Sequence, residues 1–298
     1  MFLAVTTLCL IIAGALVTSN DAGLAVPDWP TSFGSLVRIP PMVGGVKFEH
    51  GHRMLAEFVG LLTIVLAVWT SRVERRSWMR KLGWTALALV ITQGILGGIT
   101  VKFFLPPWVS TAHATLAQTF FCLTVALALF TSRRWIEYPG GSFVDHGHPS
   151  VRTLTLLAAS AVYVQLILGA AFRHSGLKLL PHLLSAVVVT VLVIWTVTRV
   201  LSGFSALAEL RRPAQALLGV LLLQLALGFA AYLTRVAWSG HEPQPQLNMV
   251  VSTVAHVAVG AVMLATTMVL ALEARHVSAF LSRGNVIEFR GARKAVTA

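Results

Sequence analysis

Four of the ten histidines occupy equivalent places in a repeated pattern. Each stands near the start of a long apolar segment and precedes a small residue by four positions, as in His52/Ala56, His113/Ala117, His182/Ala186 and His256/Gly260. Residues four apart on a helix lie on one face, so each pair predicts an imidazole beside an open space. Because a histidine within a membrane span is costly in lipid and usually faces a bundle interior or a cavity, the repetition favours four ligands over four ordinary core histidines.

These imidazoles could bind either a metal ion or a heme iron. Zinc and copper ions usually take three or four protein ligands, often including a carboxylate or a thiolate. The repeat instead supplies two histidines in each half of the chain, and two imidazoles facing each other across a four-helix bundle suit one six-coordinate heme iron. We therefore expect two heme sites, one between His52 and His113 and one between His182 and His256.

A carboxylate accompanies the first histidine pair and is missing from the second. Glu49 precedes His52 by three residues on one helical face, whereas Leu179-Leu180-Pro181 precedes His182. A carboxylate beside one heme predicts proton-coupled chemistry at that site, with electron transfer as the role of the other. The alternative is that Glu49 meets the dipole at the N-terminus of its own helix.

Basic residues near one end of the spans are candidates for binding heme propionates, which require cationic or donor partners. The candidates are Arg53, Lys102, Arg173, Lys178 and Arg235. The alternative is that they are solvated charges at the membrane interface. Glu57 follows Arg53 by four residues, a spacing that predicts an intrahelical ion pair.

The elements that position these residues are predicted to be membrane-spanning helices. Of the 298 residues, 56% are hydrophobic and 11% are charged, against about a quarter charged in soluble domains. Runs of about twenty apolar residues cross a bilayer as helices. The sequence therefore predicts an all-α integral membrane protein with eight transmembrane helices. Their expected spans are 2–19, 50–70, 82–101, 109–130, 152–172, 180–199, 213–234 and 249–272.

An internal repeat divides these helices into two sets of four. Three odd-numbered spans carry Gln-x-x-Leu-Gly, beginning at Gln93, Gln165 and Gln224, and every even-numbered span opens with one of the four histidines. Both sets begin on the same side of the membrane, so the repeat is parallel. We expect four-helix bundles at 1–134 and 150–275, with 276–298 as a basic cytoplasmic tail.

The net charge of +12 could suggest nucleic-acid binding, but its distribution indicates membrane topology instead. Sixteen Lys and Arg residues lie in one set of loops and the C-terminal tail, six lie in the other set, and Arg53 lies within a span. The basic loops are cytoplasmic by the positive-inside rule. We therefore expect both termini in the cytoplasm, the loop 20–49 outside, surrounding lipid, and no nucleic-acid partner.

The chain resembles the heme A synthases, membrane enzymes that assemble the cofactor of terminal oxidases. The motifs are Gly14-Ala15-Leu16-Val17, Ala22-Gly23-Leu24, Pro27-Asp28-Trp29-Pro30 and Glu49-x-x-His52-Arg53, followed by the other three histidines. The resemblance covers nearly all of residues 1–272. The Pro-Asp-Trp-Pro loop together with Glu-x-x-His-Arg is its specific part.

The resemblance implies a reaction and a site for each heme. The family oxidises a methyl group of heme O to a formyl group, giving heme A. It implies that substrate heme O lies between His52 and His113 in the cell membrane with Glu49 as the catalytic residue, and that a resident heme b cofactor lies between His182 and His256. Heme O synthase and a terminal-oxidase assembly system are the expected partners, and association into a homo-oligomer is left open.

The chain departs from the usual family residues at four positions. Many members have a cysteine pair in the first outer loop, where Val26 and Ser32 stand here. Thr18 replaces an arginine whose second-half equivalent, Arg173, is kept, and His50 replaces an aromatic residue. These departures put any thiol-dependent electron transfer in doubt and leave the heme sites intact.

Two other functions compete with the enzyme. One is a non-catalytic diheme b-type electron carrier, and the other is a heme carrier that binds porphyrin without changing it. An electron carrier needs neither Glu49 nor the Pro27–Pro30 loop. Histidines distributed across both leaflets would favour a transmembrane electron carrier, whereas all four are expected near the outer face.

Overall fold

The computed structural model of the protein describes residues 1–138, 145, 147–238 and 244–279. Within this part of the chain, eight helices are long and apolar enough to cross a membrane, which confirms the predicted multi-pass, all-α fold. The helices are α1 (Phe2–Ser19), α2 (Val46–Val73), α3 (Ser77–Lys102), α4 (Pro107–Phe130), a one-turn α5 (Arg133–Ile136), α6 (Val151–Arg173), α7 (Leu179–Gly203), α8 (Ala208–Tyr232) with a π-helical extension (Leu233–Ala237), and α9 (Leu247–Ala279). Residues 280–298 of the expected tail lie outside the described residues.

Most of the helices extend beyond the apolar segments that predicted them. A helix can continue into the polar membrane interface because its backbone hydrogen bonds are made within the segment. The extension matters most in α2, which begins at Val46 rather than near residue 50. Glu49 therefore lies in the first turn of α2, and His50 and Arg53 follow on the same rigid element.

The helices pack in two rings of four. In the first ring, α1 and α3 each contact both α2 and α4, so the helices that carry His52 and His113 occupy opposite corners. In the second ring, α6 and α8 each contact both α7 and α9, which places the His182 and His256 helices in the same relation. The equivalence of residues 1–134 and 150–275 as two repeated bundles stays a prediction.

The two rings meet along α1 and α4 on one side and α6 and α9 on the other. Ile11 and Phe121 pack there against Ala261 and Ala265, all of them buried. Small residues such as these alanines let membrane helices approach closely. The first and second rings are therefore joined by close apolar packing.

Polar contacts reinforce this junction. Arg173 at the end of α6 donates to the carbonyl oxygen of Ala15 at 3.1 Å and to the hydroxyl of Ser19 at 2.6 Å. Ser19 is also hydrogen-bonded to Thr253 of α9, with 2.9 Å between the hydroxyl oxygens. The end of α1 near the first loop is thus bonded to two helices of the second ring.

Candidate functional site

Each of the four expected ligand histidines packs against a glycine on the preceding long helix. The atom nearest to a Cβ built on that glycine is the imidazole Cε1 in every case, at 3.1 Å for Gly14/His52, 3.2 Å for Gly97/His113, 2.8 Å for Gly169/His182 and 3.0 Å for Gly228/His256. A larger residue would displace the ring, so the glycines determine where the imidazoles lie. The histidines stand in the first third of their helices and the glycines in the last third of theirs, which places all four pairs near the same end of the rings.

Three of the four imidazoles also contact a glutamine amide. The distances between the glutamine Nε2 and the histidine Nε2 are 3.5 Å for Gln93/His113, 3.4 Å for Gln165/His182 and 3.4 Å for Gln224/His256. Each glutamine precedes its histidine-facing glycine by four residues, one turn along the same helix. The Gln-x-x-Leu-Gly repeat is therefore a histidine-contacting motif, a role that its sequence did not reveal.

The space beside one histidine holds a side chain of the protein. A Cβ at Gly260 would lie 3.1 Å from the Nε2 of Gln224. The small residue four positions after His256 thus lies against the amide of Gln224, and the open space expected beside the imidazole stays a prediction.

The second histidine pair has the geometry of two ligands to one metal. The ring centres of His182 and His256 are 6.3 Å apart and the planes are inclined at 85°. Two imidazoles on opposite sides of one metal, each bonded at about 2 Å, would have centres about 6 Å apart. The Nδ1 of His182 lies 3.3 Å from the carbonyl oxygen of Gln165, so a proton on Nδ1 leaves the Nε2 lone pair for a metal.

The other three imidazoles share one further feature. The Nδ1 atoms of His52, His113 and His256 are buried and lack a hydrogen-bond partner. Among the described residues, no group of three or more His, Cys, Asp or Glu side chains is arranged to hold a metal ion. The donor set thus fits two axial imidazoles for each heme better than the three or four ligands that a zinc or copper ion usually takes.

Glu49 is buried one helical turn before His52 on α2 and is bonded to the loop between α1 and α2. Its side chain is 4% exposed. Its Oε2 accepts a hydrogen bond from the backbone N–H of Val26 at 2.8 Å, and its Oε1 accepts one from Arg53 at 2.6 Å. The carboxylate does not cap its own helix, because the N-cap residue is Gly45 and no side chain caps that end.

The predicted ion pair between Arg53 and Glu57 is wrong, because Arg53 pairs with Glu49 instead. Both acids stand four residues from the arginine, but the first loop brings acceptors to the Glu49 side. The guanidinium donates to the carbonyl oxygens of Asp28 at 2.7 Å, Thr31 at 3.0 Å and Val26 at 3.1 Å. Charged hydrogen bonds of this kind are among the stronger ones in proteins, so Arg53 holds the loop against α2.

The loop itself is organised by Asp28. Its carboxylate accepts hydrogen bonds from the hydroxyl of Thr31 and from the backbone N–H groups of Gly34 at 2.8 Å and Phe33 at 2.7 Å. The Thr31 hydroxyl, followed by the backbone N–H groups, lowers the pKa of Asp28 to about 2. The charged carboxylate thus closes a tight turn next to Trp29.

The remaining basic candidates differ in their surroundings. Arg173 is bonded to α1, as described above. Arg235 has the sulfur of Met249 as its neighbour, at 3.9 Å from Nη1. Lys102 ends α3, and Lys178 is the exposed N-cap residue of α7. The structure brings Arg53 closest to the first site, although its guanidinium bonds are directed to the loop.

Comparison with known proteins agrees with these motifs. The family model described as "Cytochrome oxidase assembly protein" (COX15-CtaA) matches residues 46–180. A heme A synthase of Symbiobacterium thermophilum is 28% identical over 266 residues, which are 77% of this chain and 85% of that protein. One of Alkalihalophilus pseudofirmus is 24% identical over 174 residues, 58% of this chain and 57% of that protein. One of Geobacillus thermodenitrificans is 32% identical over 139 residues, 45% of this chain and 43% of that protein. The chain thus spans little more than half the length of some of the relatives that it matches.

The chain is therefore similar to heme A synthases over a large part of its length. Two residues noted in the sequence as departures from the pattern of that family, His50 and Ser32, contact each other in the structure. The Nδ1 of His50 lies 3.1 Å from the hydroxyl oxygen of Ser32, and both residues are buried. A hydrogen bond therefore attaches the loop to α2 at this point.

The packing of Trp29 against α3 provides a test of how the loop is held. A Cβ at Gly98 would lie 2.5 Å from the Trp29 ring, so Gly98→Ala must displace the indole. We expect the loop 20–45 to become more sensitive to protease, because such overpacking typically costs about 1–3 kcal/mol. Limited proteolysis followed by mass spectrometry measures the change.

Gly94→Ala is the matched control, because it lies one turn earlier on α3 and its Cβ would meet nothing within 4 Å. Equal cleavage of the two variants and the wild type would show that the Trp29 contact does not hold the loop.

Proposed function

We propose that the protein is a heme A synthase, an oxidoreductase that converts a methyl group of heme O to a formyl group. The observation that carries the proposal is the buried Glu49, one helical turn before His52, which Val26 and Arg53 hold in place. The second ring has a comparable histidine pair, but apolar residues and a proline precede His182. The proposal therefore assigns chemistry to the first ring and cofactor binding to the second.

His52 and His113 would hold the substrate heme O, and His182 and His256 would hold a resident heme b. The geometry that supports this is the pair of facing imidazoles in the second ring, 6.3 Å apart, and the four equivalent glycine contacts. When bound, heme b supplies one-electron redox chemistry. Arg173 and Arg235 are the proposed propionate contacts in the second ring, and Arg53 is the proposed contact in the first.

The residues of the first ring would position the substrate, place a negative charge next to it and exclude water from it. Glu49 can accept a proton from the substrate or stabilise positive charge that develops on it, and both effects need a carboxylate held in place. Arg53 supplies that restraint through the 2.6 Å ion pair. The loop that Arg53 and Trp29 hold against α2 and α3 would cover the outer end of the site and limit access of water.

The proposed orientation places this loop and all four histidines on the outer side of the cell membrane, with both termini in the cytoplasm. It rests on the distribution of Lys and Arg between the two sets of loops. A reporter that is active only in the periplasm should be inactive when it is fused after Ala298.

The test of the proposed function is mass analysis of heme extracted from cells that co-express this protein with a heme O synthase. We expect heme A, whose formyl group distinguishes it by mass from heme O and heme b. Cells with the heme O synthase alone are the control and should contain heme O without heme A. Heme O that accumulates unchanged beside the folded protein would contradict the proposal and favour a diheme electron carrier or a heme carrier.

A further inference from the structure

The four histidine environments differ in one respect. Gln93, Gln165 and Gln224 stand four residues before the histidine-facing glycine in α3, α6 and α8. The residue at the same place in α1, four before Gly14, is Leu10. Among the described residues, no side-chain amide contacts the His52 ring, whose nearby polar partner is the backbone carbonyl group of Leu10. His52 is thus the one ligand histidine that has no amide beside its ring.

The amide contact involves the ring nitrogen that a heme iron would need. In each of the three glutamine pairs, the contact joins the amide Nε2 to the imidazole Nε2. The amide nitrogen can only donate, so the imidazole nitrogen must offer its lone pair. A metal needs that same lone pair, so the hydrogen bond and the metal bond exclude each other. Heme binding therefore requires each glutamine amide to leave the imidazole Nε2.

The contact between each amide and its imidazole ring is weak. The distances of 3.4–3.5 Å lie at the long end of the range for hydrogen bonds, and the Oε1 atoms of Gln93, Gln165 and Gln224 are buried without a hydrogen-bond partner. Gln93 also donates from its Nε2 to the carbonyl oxygen of His113, at the shorter distance of 2.9 Å. Its amide can therefore give up the contact with the ring while it keeps the bond to the backbone.

We infer that the substrate heme binds first to His52, whose Nε2 is not shielded, and that His113 becomes the second ligand only after heme displaces the Gln93 amide. This inference rests on the proposed function, which places heme between His52 and His113. Leu10 and Gln93 act as positioning residues in this order of ligation. They determine whether the Nε2 of each imidazole is hydrogen-bonded before heme binds, and they do not bond to the iron themselves.

The inference predicts the sign of each effect. A hydrogen bond present only without heme weakens heme binding, so Leu10→Gln should weaken the affinity of the first site and Gln93→Leu should strengthen it. A long neutral hydrogen bond corresponds to about a twofold to fivefold change in each direction. If Gln93 merely supported the fold of the site, its removal would weaken heme binding instead.

The experiment titrates the purified protein, produced without heme O synthase and carrying its resident heme b, with ferric heme O in detergent. Absorption spectra distinguish a five-coordinate, high-spin heme from a six-coordinate, low-spin one, so stopped-flow mixing follows both ligation steps. In the wild type we expect a high-spin species that forms first and then becomes low-spin. Leu10→Gln should slow the first step, and Gln93→Leu should speed the second.

Leu10→Met is the matched control, because it keeps the approximate volume of a side chain packed against the apolar cluster that contains Val59 and Phe120, without adding an amide. It should behave like the wild type in both steps. Unchanged affinities in Leu10→Gln and Gln93→Leu, or weaker binding in Gln93→Leu, would overturn the inference while leaving the heme site in place. If the wild type gave no spectral change with heme O, the proposed site and this inference would both fail.

Discussion

Glu49→Gln should reduce heme A formation by at least about a hundredfold while leaving the heme b between His182 and His256 in place. General acid–base assistance is typically worth about a hundred- to ten-thousand-fold in rate, and the loss of a fixed charge adds to that cost. Glutamine keeps the shape of the side chain but offers a single acceptor oxygen, so it can keep only one of the two hydrogen bonds from Val26 and Arg53. The loop should remain attached because Arg53 also donates to three of its carbonyl oxygens, and the loss should be chemical. Chromatography of heme extracted from cells that supply heme O measures it.

Glu57→Gln is the matched control for this change. It makes the same substitution on the same helix, but Glu57 is exposed and forms no ion pair among the described residues. It should retain wild-type heme A formation. Because the reaction needs two oxidation rounds, product stalled at the alcohol stage in Glu49→Gln would fit the proposed role. Wild-type amounts of heme A from Glu49→Gln would remove this carboxylate from the mechanism.

His182→Ala or His256→Ala should abolish the spectrum of the resident heme b while the protein remains in the membrane. Each change removes one of the two imidazoles whose rings lie 6.3 Å apart. The Cα positions and the apolar packing of α7 and α9 would be retained, so insertion should continue. The reduced-minus-oxidised absorption spectrum of the purified protein measures the loss, with the amount of inserted protein determined by immunoblot.

His276→Ala provides the comparison for the ligand variants. His276 lies near the other end of α9 from His256 and stacks on Trp135, with ring centres 3.9 Å apart. Its replacement should leave the heme b spectrum intact. Full heme b in a variant that lacks both His182 and His256 would show that the cofactor is bound elsewhere.

The eight spans and the recurrence of the four histidines were predictable because both depend on local properties of the chain. Membrane thickness determines the length of an apolar helix, and the position of a histidine near a helix end determines its depth. The contacts of each histidine were not predictable in the same way. The loops that separate each glycine from its histidine differ in length, so no constant spacing connects Gly97 with His113 and Gly228 with His256.

The ion-pair partner of Arg53 also could not be predicted from the sequence. Glu49 and Glu57 lie at equal distances along the chain, and helix geometry alone allows either pair. The decision depends on carbonyl groups of a loop more than twenty residues away, which converge on the Glu49 side of the arginine. These acceptors are backbone carbonyl oxygens, which every residue type has. A sequence motif therefore cannot show which of them will bind Arg53.

The bond from Arg173 to α1 has a consequence for how the protein is assembled in the membrane. Helices α1 to α4 are synthesised before α6. The hydrogen bond from Arg173 to the Ser19 hydroxyl can therefore form only after α6 has entered the membrane. Conversely, the second set of helices inserted alone would leave the Arg173 guanidinium without its two acceptors on α1, and an unpaired charge at that depth is costly. A gene cut between the two sets should therefore yield stable protein only when both fragments are produced in the same cell.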